Sequence, residues 1–297
     1  MKKKISIIGL GKIGKKHFSE LRRSDYFELV GICDKDEKLD NFARFEFFND
    51  IENMFVTSKP QAVIIATPSK THKEIILKSM KYVKNIFVES PCTENLEQVR
   101  EMRYAANTSQ TKIAVGFNER FNPTVVSLLR EFEKENEEIY SISIIRSCDC
   151  GEDIDIIDDL LLKDLDLVRF ILKTEISNID VKKSSFKNKK VVSSNLKTKN
   201  GILVNIISGS LYPIDRVFME ISAKSGVYLA DLVNFTLHKI TMNGRVNLRV
   251  ENEDFSIRNE HKCFLDVCEN KEFGNLASME DVIKIREILR WKKQFCF

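Results

Sequence analysis

Hydrophobic residues come in short dense runs through the first third of the chain and in looser alternation through much of the remainder. KISIIGL, FELVGICD, AVIIATP, NIFVES and KIAVGFN are compact apolar runs of strand length. Between them lie segments with helical spacing: KIGKKHFSELRR, KTHKEIILKSMK and residues 94–106. Short buried strands alternating with helices predict a parallel sheet covered on both faces. Right-handed crossovers make such a sheet doubly wound.

The pattern changes after Pro123. A helix is predicted over 123–135, then a strand at YSISIIRS, then a strongly apolar helix over 154–172. From 176 to 250 the pattern is mostly strand-like, with turn signals KNG at 199–201, KSG at 224–226 and MNG at 242–244. Two helices are expected near 258–271 and 278–293. This part reads as an α+β domain, a mainly antiparallel sheet with helices on one side. The division is expected between residues 1–119 and 120–297.

Composition adds limits. The 297 residues carry a net charge of only +3, with acidic and basic residues interspersed, so nucleic acid is not an expected partner. The start MKKKISIIGLGKIGKK has a basic head and an apolar stretch. That stretch is short, broken by glycine and followed by Lys12, Lys15 and Lys16, unlike a signal peptide. No apolar run reaches membrane-span length, so a cytoplasmic chain without membrane contact is expected. Seven cysteines without a CxxC suggest reduced thiols. Cys148 and Cys150 are the only close pair, and with four histidines in the chain no metal site is expected.

The first strand runs into Gly9-Leu10-Gly11-Lys12-Ile13-Gly14, and a helix follows. Asp34 ends the second strand, 20 residues beyond Gly14. A glycine triplet alone is weak evidence. Between strand and helix, with an acidic residue at that distance, it describes a Rossmann dinucleotide cradle. Gly9 permits the tight turn, Gly11 lets the backbone reach a pyrophosphate, and Gly14 lets helix and strand pack closely. Lys12 and Ile13 open the helix whose positive end holds the phosphates. Asp34 would accept hydrogen bonds from the adenosine ribose and repel a 2′-phosphate. NAD(H) is therefore favoured, with NADP(H) left open by Lys35.

Further motifs follow: Ala66-Thr67-Pro68-Ser69-Lys70-Thr71-His72, Glu89-Ser90-Pro91, and Val115-Gly116-Phe117-Asn118-Glu119-Arg120-Phe121-Asn122-Pro123. Together with the glycine cradle and His17, this series resembles the glucose–fructose oxidoreductase and inositol dehydrogenase (Gfo/Idh/MocA) family. The resemblance extends through the closing segments CFLDVCENKEF and SMEDVIKIREILRW. It implies a Rossmann domain followed by a domain with a large open sheet, and homodimers or homotetramers built through that sheet. It implies NAD(P)-dependent interconversion of alcohol and carbonyl on a sugar, polyol or nucleotide sugar. By position it places Thr67, Pro68 and His72 at the nicotinamide end of the cofactor, with Glu89 and Asn118 nearby.

Two departures touch the chemistry. Ser90 stands where the family carries its catalytic lysine in Glu-Lys-Pro. On the long helix, Asp159-Leu160-Leu161-Leu162-Lys163 aligns with Asp-x-Gly-x-His, so aspartate is kept and lysine replaces histidine. Ile157, Leu161, Leu165, Val168 and Leu172 form an apolar stripe, and Asp159, Lys163 and Asp166 fall on the opposite face at i, i+4 and i+7. By themselves Asp159 and Lys163 read as an ordinary surface pair. With the resemblance they become candidates for substrate contact and proton handling, with Ser90 in support. A lysine's ordinary pKa of about 10.4 makes it a poor base near neutrality. Burial lowers that value and a nearby carboxylate raises it. Lys163 is therefore either the relocated proton handler or an anchor for an anionic group.

Other residues have two readings each. Cys92 reads as a nucleophile or as a small buried hydrophobe, the second being commoner. His238 and His261 read as isolated structural residues of the second domain. Arg120 and Arg146 suit an anionic substrate or ordinary surface or interdomain pairing. The Lys-rich stretch 182–190 suits a solvated hairpin better than a polyanion site. Against the enzyme reading stand two alternatives: a non-catalytic dinucleotide-binding sensor or partner subunit, and a reductase of a non-sugar substrate.

Overall fold

The computed structural model describes residues 2–36, 45–148, 155–187, 189–210 and 214–291. Cys150, residue 154 at the expected helix start, residue 188 of the hairpin and residues 292–293 lie outside them. The chain divides into two compact units, Met1–Asn118 with Ile257–Ile283, and Glu119–Ser256 with Lys284–Phe297. A single cut at 119/120 therefore misses the return of residues 257–283 to the first unit.

The first unit begins with β1 (Lys3–Ile8), α1 (Lys12–Leu21), β2 (Phe27–Cys33), β3 (Phe47–Phe48) and α2 (Ile51–Ser58). It continues with β4 (Ala62–Ile65), α3 (Ser69–Ser79), β5 (Asn85–Glu89), α4 (Leu96–Ser109) and β6 (Lys112–Gly116). The sheet order is β6-β5-β4-β1-β2-β3, with all neighbours parallel. Ile5, Ile7, Val63, Ile64, Ile86 and Phe87 are fully buried, as expected of strands covered on both faces. Each such side chain stabilises by roughly 1.5–3 kcal/mol through burial. The strand order reverses at β1, so its carboxyl end is the topological switch point where ligands bind in such sheets.

The second unit holds α5 (Pro123–Glu135), β7 (Ile139–Ser147), a π-helical segment (Ile156–Leu161) and α6 (Leu162–Leu172). Seven strands follow: β8 (Ile176–Phe186), β9 (Lys189–Thr198), β10 (Leu203–Gly209), β11 (Arg216–Ala223), β12 (Gly226–Asp231), β13 (Thr236–Thr241) and β14 (Gly244–Leu248). With β7 they form one sheet in the order β14-β13-β12-β11-β7-β10-β9-β8. All pairs are antiparallel except β7 with β10, which is parallel. Burial alternates along β9 and β11, so one face packs and the other meets solvent.

The chain closes with α7 (Ser256–Cys268), β15 (Ala277–Ser278) and α8 (Met279–Trp291). β15 pairs antiparallel with β6, Ala277 opposite Val115, and extends the first sheet by one strand. The expectation of reduced thiols is corrected at Cys148, which is disulfide-bonded. No helix among the described residues is long and apolar enough to cross a membrane.

Candidate functional site

The turn after β1 has the steric logic of a dinucleotide cradle. Gly9 sits at φ +95°, where a side chain would be strained, and a β-carbon there would meet Ala66 and Thr67 at 2.8 Å. A β-carbon on Gly14 would stand 2.0 Å from the Gly9 carbonyl oxygen. Gly11 differs, because nothing lies within 4 Å of the same added atom. Two glycines are thus required by the protein's own packing, and the third opens onto free space where a ligand backbone can approach. α1 starts at that point with no side-chain cap on its first amides. Lys12 is exposed and Ile13 half-buried at its first positions.

Asp34 fixes the far side of the cradle. Its Oδ2 accepts the Leu10 amide at 2.6 Å and its Oδ1 accepts the Asp36 amide at 3.0 Å. A carboxylate has about four lone-pair sites, so Asp34 can serve the loop and still take ribose hydroxyls. These residues fit a bound dinucleotide.

At the ends of β4 and β5 the expected nicotinamide residues are largely engaged with the protein itself. His72 is buried, with Nε2 donating to the Thr67 carbonyl at 2.7 Å and Nδ1 3.3 Å from the Cys92 carbonyl. Burial lowers the His72 pKa, partly opposed by these carbonyls. The ring is held as a brace between two loops. The Thr71 hydroxyl donates to Pro68 O at 2.7 Å and faces Thr67 Oγ1 at 2.8 Å. Glu89 turns its carboxylate inward to His17, with Nε2 to Oε1 at 2.5 Å. Ser90 follows directly, its amide donating to Gly116 O at 3.1 Å, and the Ser90–Pro91 bond is cis. Asn118 starts a short 3₁₀ turn, Asn118–Phe121.

The second unit presents Asp159 and Lys163. The segment entering α6 is π-helical, so the expected regular i, i+4 spacing does not hold there. Asp155 caps it by accepting the Ile157 amide at 2.8 Å, and Asp159 Oδ2 accepts the Asp155 amide at 3.0 Å. Burial raises the Asp159 pKa, assisted by Asp155 and Asp158 and opposed by the Asp155 amide and Lys163. The apolar stripe is present, with Ile157, Leu161, Leu165 and Val168 buried. The polar stripe needs correction. Asp166 is buried and receives Arg120 through Nε at 2.8 Å and Nη2 at 2.5 Å. That geometry is a two-pronged internal ion pair.

Arg146 is likewise internal. It donates from Nε to Asp164 at 2.8 Å and from Nη1 to Glu119 at 3.0 Å, and Ser208 donates to Asp164 at 3.2 Å. Burial alone would raise the Glu119 pKa, but the Arg146 guanidinium and then Lys163 outweigh it and hold Glu119 low. Glu119 Oε2 and Arg146 Nη2 are buried with no hydrogen-bond partner among the described residues. Lys163, half-exposed and one residue from the Asp164 anchor, thus sits beside a fixed carboxylate.

Residues 3–117 match the family described as "Oxidoreductase family, NAD-binding Rossmann fold" (GFO_IDH_MocA). Over that stretch the nucleotide-binding unit is similar to the Gfo/Idh/MocA oxidoreductases. The chain is 25% identical over 202 residues to "Uncharacterized oxidoreductase YrbE" of Bacillus subtilis, covering 61% of this chain and 57% of that protein. It is 25% identical over 183 residues to inositol 2-dehydrogenase of Rhizobium meliloti, covering 58% of this chain and 56% of that enzyme. The matched regions thus span little more than half the length of these relatives. The fold is shared with UDP-N-acetylglucosamine 3-dehydrogenase from Acidithiobacillus ferrooxidans, at a TM-score of 0.86 and 19% identity, covering 99% of this chain and 97% of that one.

Within the nucleotide-binding unit, sequence reasoning missed one cluster. His261 is not an isolated residue of the second domain. It lies in the first unit with its Nε2 2.9 Å from His17 Nδ1. Nothing in residue spacing could signal this, since 244 positions separate the two. The roles of Glu119 and Asp164 were equally hidden, because each is defined by Arg146 on a distant strand. His238, by contrast, is a partly solvated sheet residue 2.7 Å from Asn247 Oδ1.

Proposed function

We propose that this protein is an NAD(P)-dependent oxidoreductase that interconverts an alcohol and a carbonyl on a sugar, polyol or nucleotide sugar. The carrying observation is the contrast within the glycine turn, with Gly9 and Gly14 packed against backbone and Gly11 opening onto free space. The nicotinamide cofactor, when bound, supplies the hydride acceptor or donor. Asp34, immediately after β2, places a carboxylate where a 2′-phosphate would be repelled, which favours NAD(H) over NADP(H). The named relatives, an inositol dehydrogenase and a UDP-N-acetylglucosamine dehydrogenase, support a polyhydroxylated substrate.

In this reading Asp159 and Lys163 meet the reacting alcohol or carbonyl oxygen. Asp159 has a raised pKa and a carboxylate only partly committed to the backbone, which suits it to hold a proton. Lys163 supplies a positive charge at the same segment, and Ser90 contributes a hydroxyl where the family has lysine. Exposed apolar residues on the second sheet, among them Tyr140, Leu203, Ile240 and Val246, support assembly as a homodimer or homotetramer. A second reading, a dinucleotide-binding sensor or partner subunit without turnover, is favoured by Ser90 alone, since a serine hydroxyl is no proton donor near neutrality. Nicotinamide absorbance assays over polyols, nucleotide sugars and their keto forms separate the two. Turnover that collapses in Lys163→Met supports the enzyme, and tight NADH binding with no turnover on any of them supports the sensor.

A further inference from the structure

The cluster under the Rossmann sheet contains donor atoms that the proposed reaction does not use. His17 lies on α1, Glu89 at the end of β5 and Glu260 on the returning α7, and all three are buried. One ligand-type atom from each falls within 4.8 Å of the other two. The set is one imidazole nitrogen and two carboxylates, a donor combination suited to a divalent transition ion.

The surroundings match such a site. A metal-bound histidine usually has its second nitrogen held by an outer partner. His17 Nδ1 has one in His261 Nε2 at 2.9 Å. At that distance His261 Nε2 can accept from His17 Nδ1–H, which leaves His17 Nε2 for the ion. Phe87 packs edge-on to His17 with centroids 5.4 Å apart, and Phe27 and Phe264 close the same wall. Two ionised carboxylates and a neutral imidazole balance a doubly charged cation, in a place with little water to solvate a charge.

We propose that His17, Glu89 and Glu260 form a divalent-metal site that staples the returning segment 257–283 to the nucleotide-binding unit. The ion takes the place of the proton now shared by His17 Nε2 and Glu89 Oε1 at 2.5 Å. Tetrahedral ligand atoms at ordinary zinc bond lengths sit about 3.3 Å apart, so this pair parts slightly while Glu260 draws in. His261 is the outer partner that fixes the His17 tautomer. The role is structural and independent of the redox reaction.

The test uses the untagged full chain, stripped of metal by chelator dialysis. Zn²⁺ and Mn²⁺ are titrated by calorimetry, and bound metal is counted by mass spectrometry. One ion per chain and a raised thermal midpoint are expected. His17→Gln and Glu260→Gln should lose the stoichiometric site, His261→Phe should weaken it about 10–100-fold, and His238→Gln should bind as wild type. Failure of the wild-type chain to take up one ion overturns the proposal, as does equal uptake by His17→Gln and Glu260→Gln. Should those variants not fold, a wild-type thermal midpoint unmoved by saturating Zn²⁺ and Mn²⁺ overturns it.

Discussion

Gly14 lies so close to Gly9 that a β-carbon on Gly14 would stand 2.0 Å from the Gly9 carbonyl oxygen, while one on Gly11 between them would meet nothing within 4 Å among the described residues. Folding and ligand binding are thereby separable within one turn. Gly11 has extended backbone angles open to any residue. Gly11→Val should cost at most about 1 kcal/mol, as an altered helix cap, and abolish NADH binding by filling the space a pyrophosphate needs. Gly14→Val should unfold or severely destabilise the unit. Denaturant titration and NADH fluorescence on the two variants check both statements.

Arg146 bridges Asp164 and Glu119 in the interior of the second unit. Its removal leaves buried Asp164 without this counter-ion and Glu119 with only the nearby Lys163 charge. Arg146→Met should therefore destabilise by roughly 3–5 kcal/mol, read from urea unfolding midpoints. Ser208→Ala, which removes one hydrogen bond to Asp164, should cost about 1 kcal/mol.

His72 and His261 both have pKa values lowered by burial from the ordinary 6.5. In that case the unfolded chain binds protons first as pH falls. Their contribution to stability is full above pH 6.5 and is lost as pH falls from there toward the folded-state values. Unfolding midpoints should drop between neutral and mildly acidic buffer, and His261→Phe should flatten that dependence. A midpoint that rises on acidification contradicts the assignment.

Asp159 carries a pKa raised above the ordinary 3.8. If it holds the transferred proton, the acid limb of the turnover–pH profile lies above that value, and Asp159→Asn removes the limb while lowering turnover by about 100-fold or more. A limb that survives in Asp159→Asn assigns it to another group.

The nucleotide-binding half was legible because its signals are local. Strand, glycine turn, helix and Asp34 lie within one βαβ unit, and each glycine's need is set by neighbours close in sequence. The second half was legible in type, since β9 and β11 alternate buried and exposed positions. What escaped depends on long-range placement. Residues 257–283 return to the first sheet through β15, a two-residue strand too short to announce itself. The π-helical entry to α6 breaks the regular spacing of Asp159 and Lys163 that helical periodicity assumes. Asp166 read as part of the helix's polar face by spacing, yet Arg120, 46 positions away, holds it in the interior.

The central claim is redox turnover through Asp159 and Lys163 on a dinucleotide bound at the glycine turn. The most direct measurement is nicotinamide absorbance with purified protein, NAD(H) and a panel of polyols, nucleotide sugars and their keto forms, with Gly11→Val and Lys163→Met alongside. Turnover is predicted in the wild type, abolished in Gly11→Val through lost cofactor binding, and cut sharply in Lys163→Met with NADH binding retained. Full turnover in Lys163→Met, or none on any of these substrates by wild-type protein that binds NADH, contradicts it.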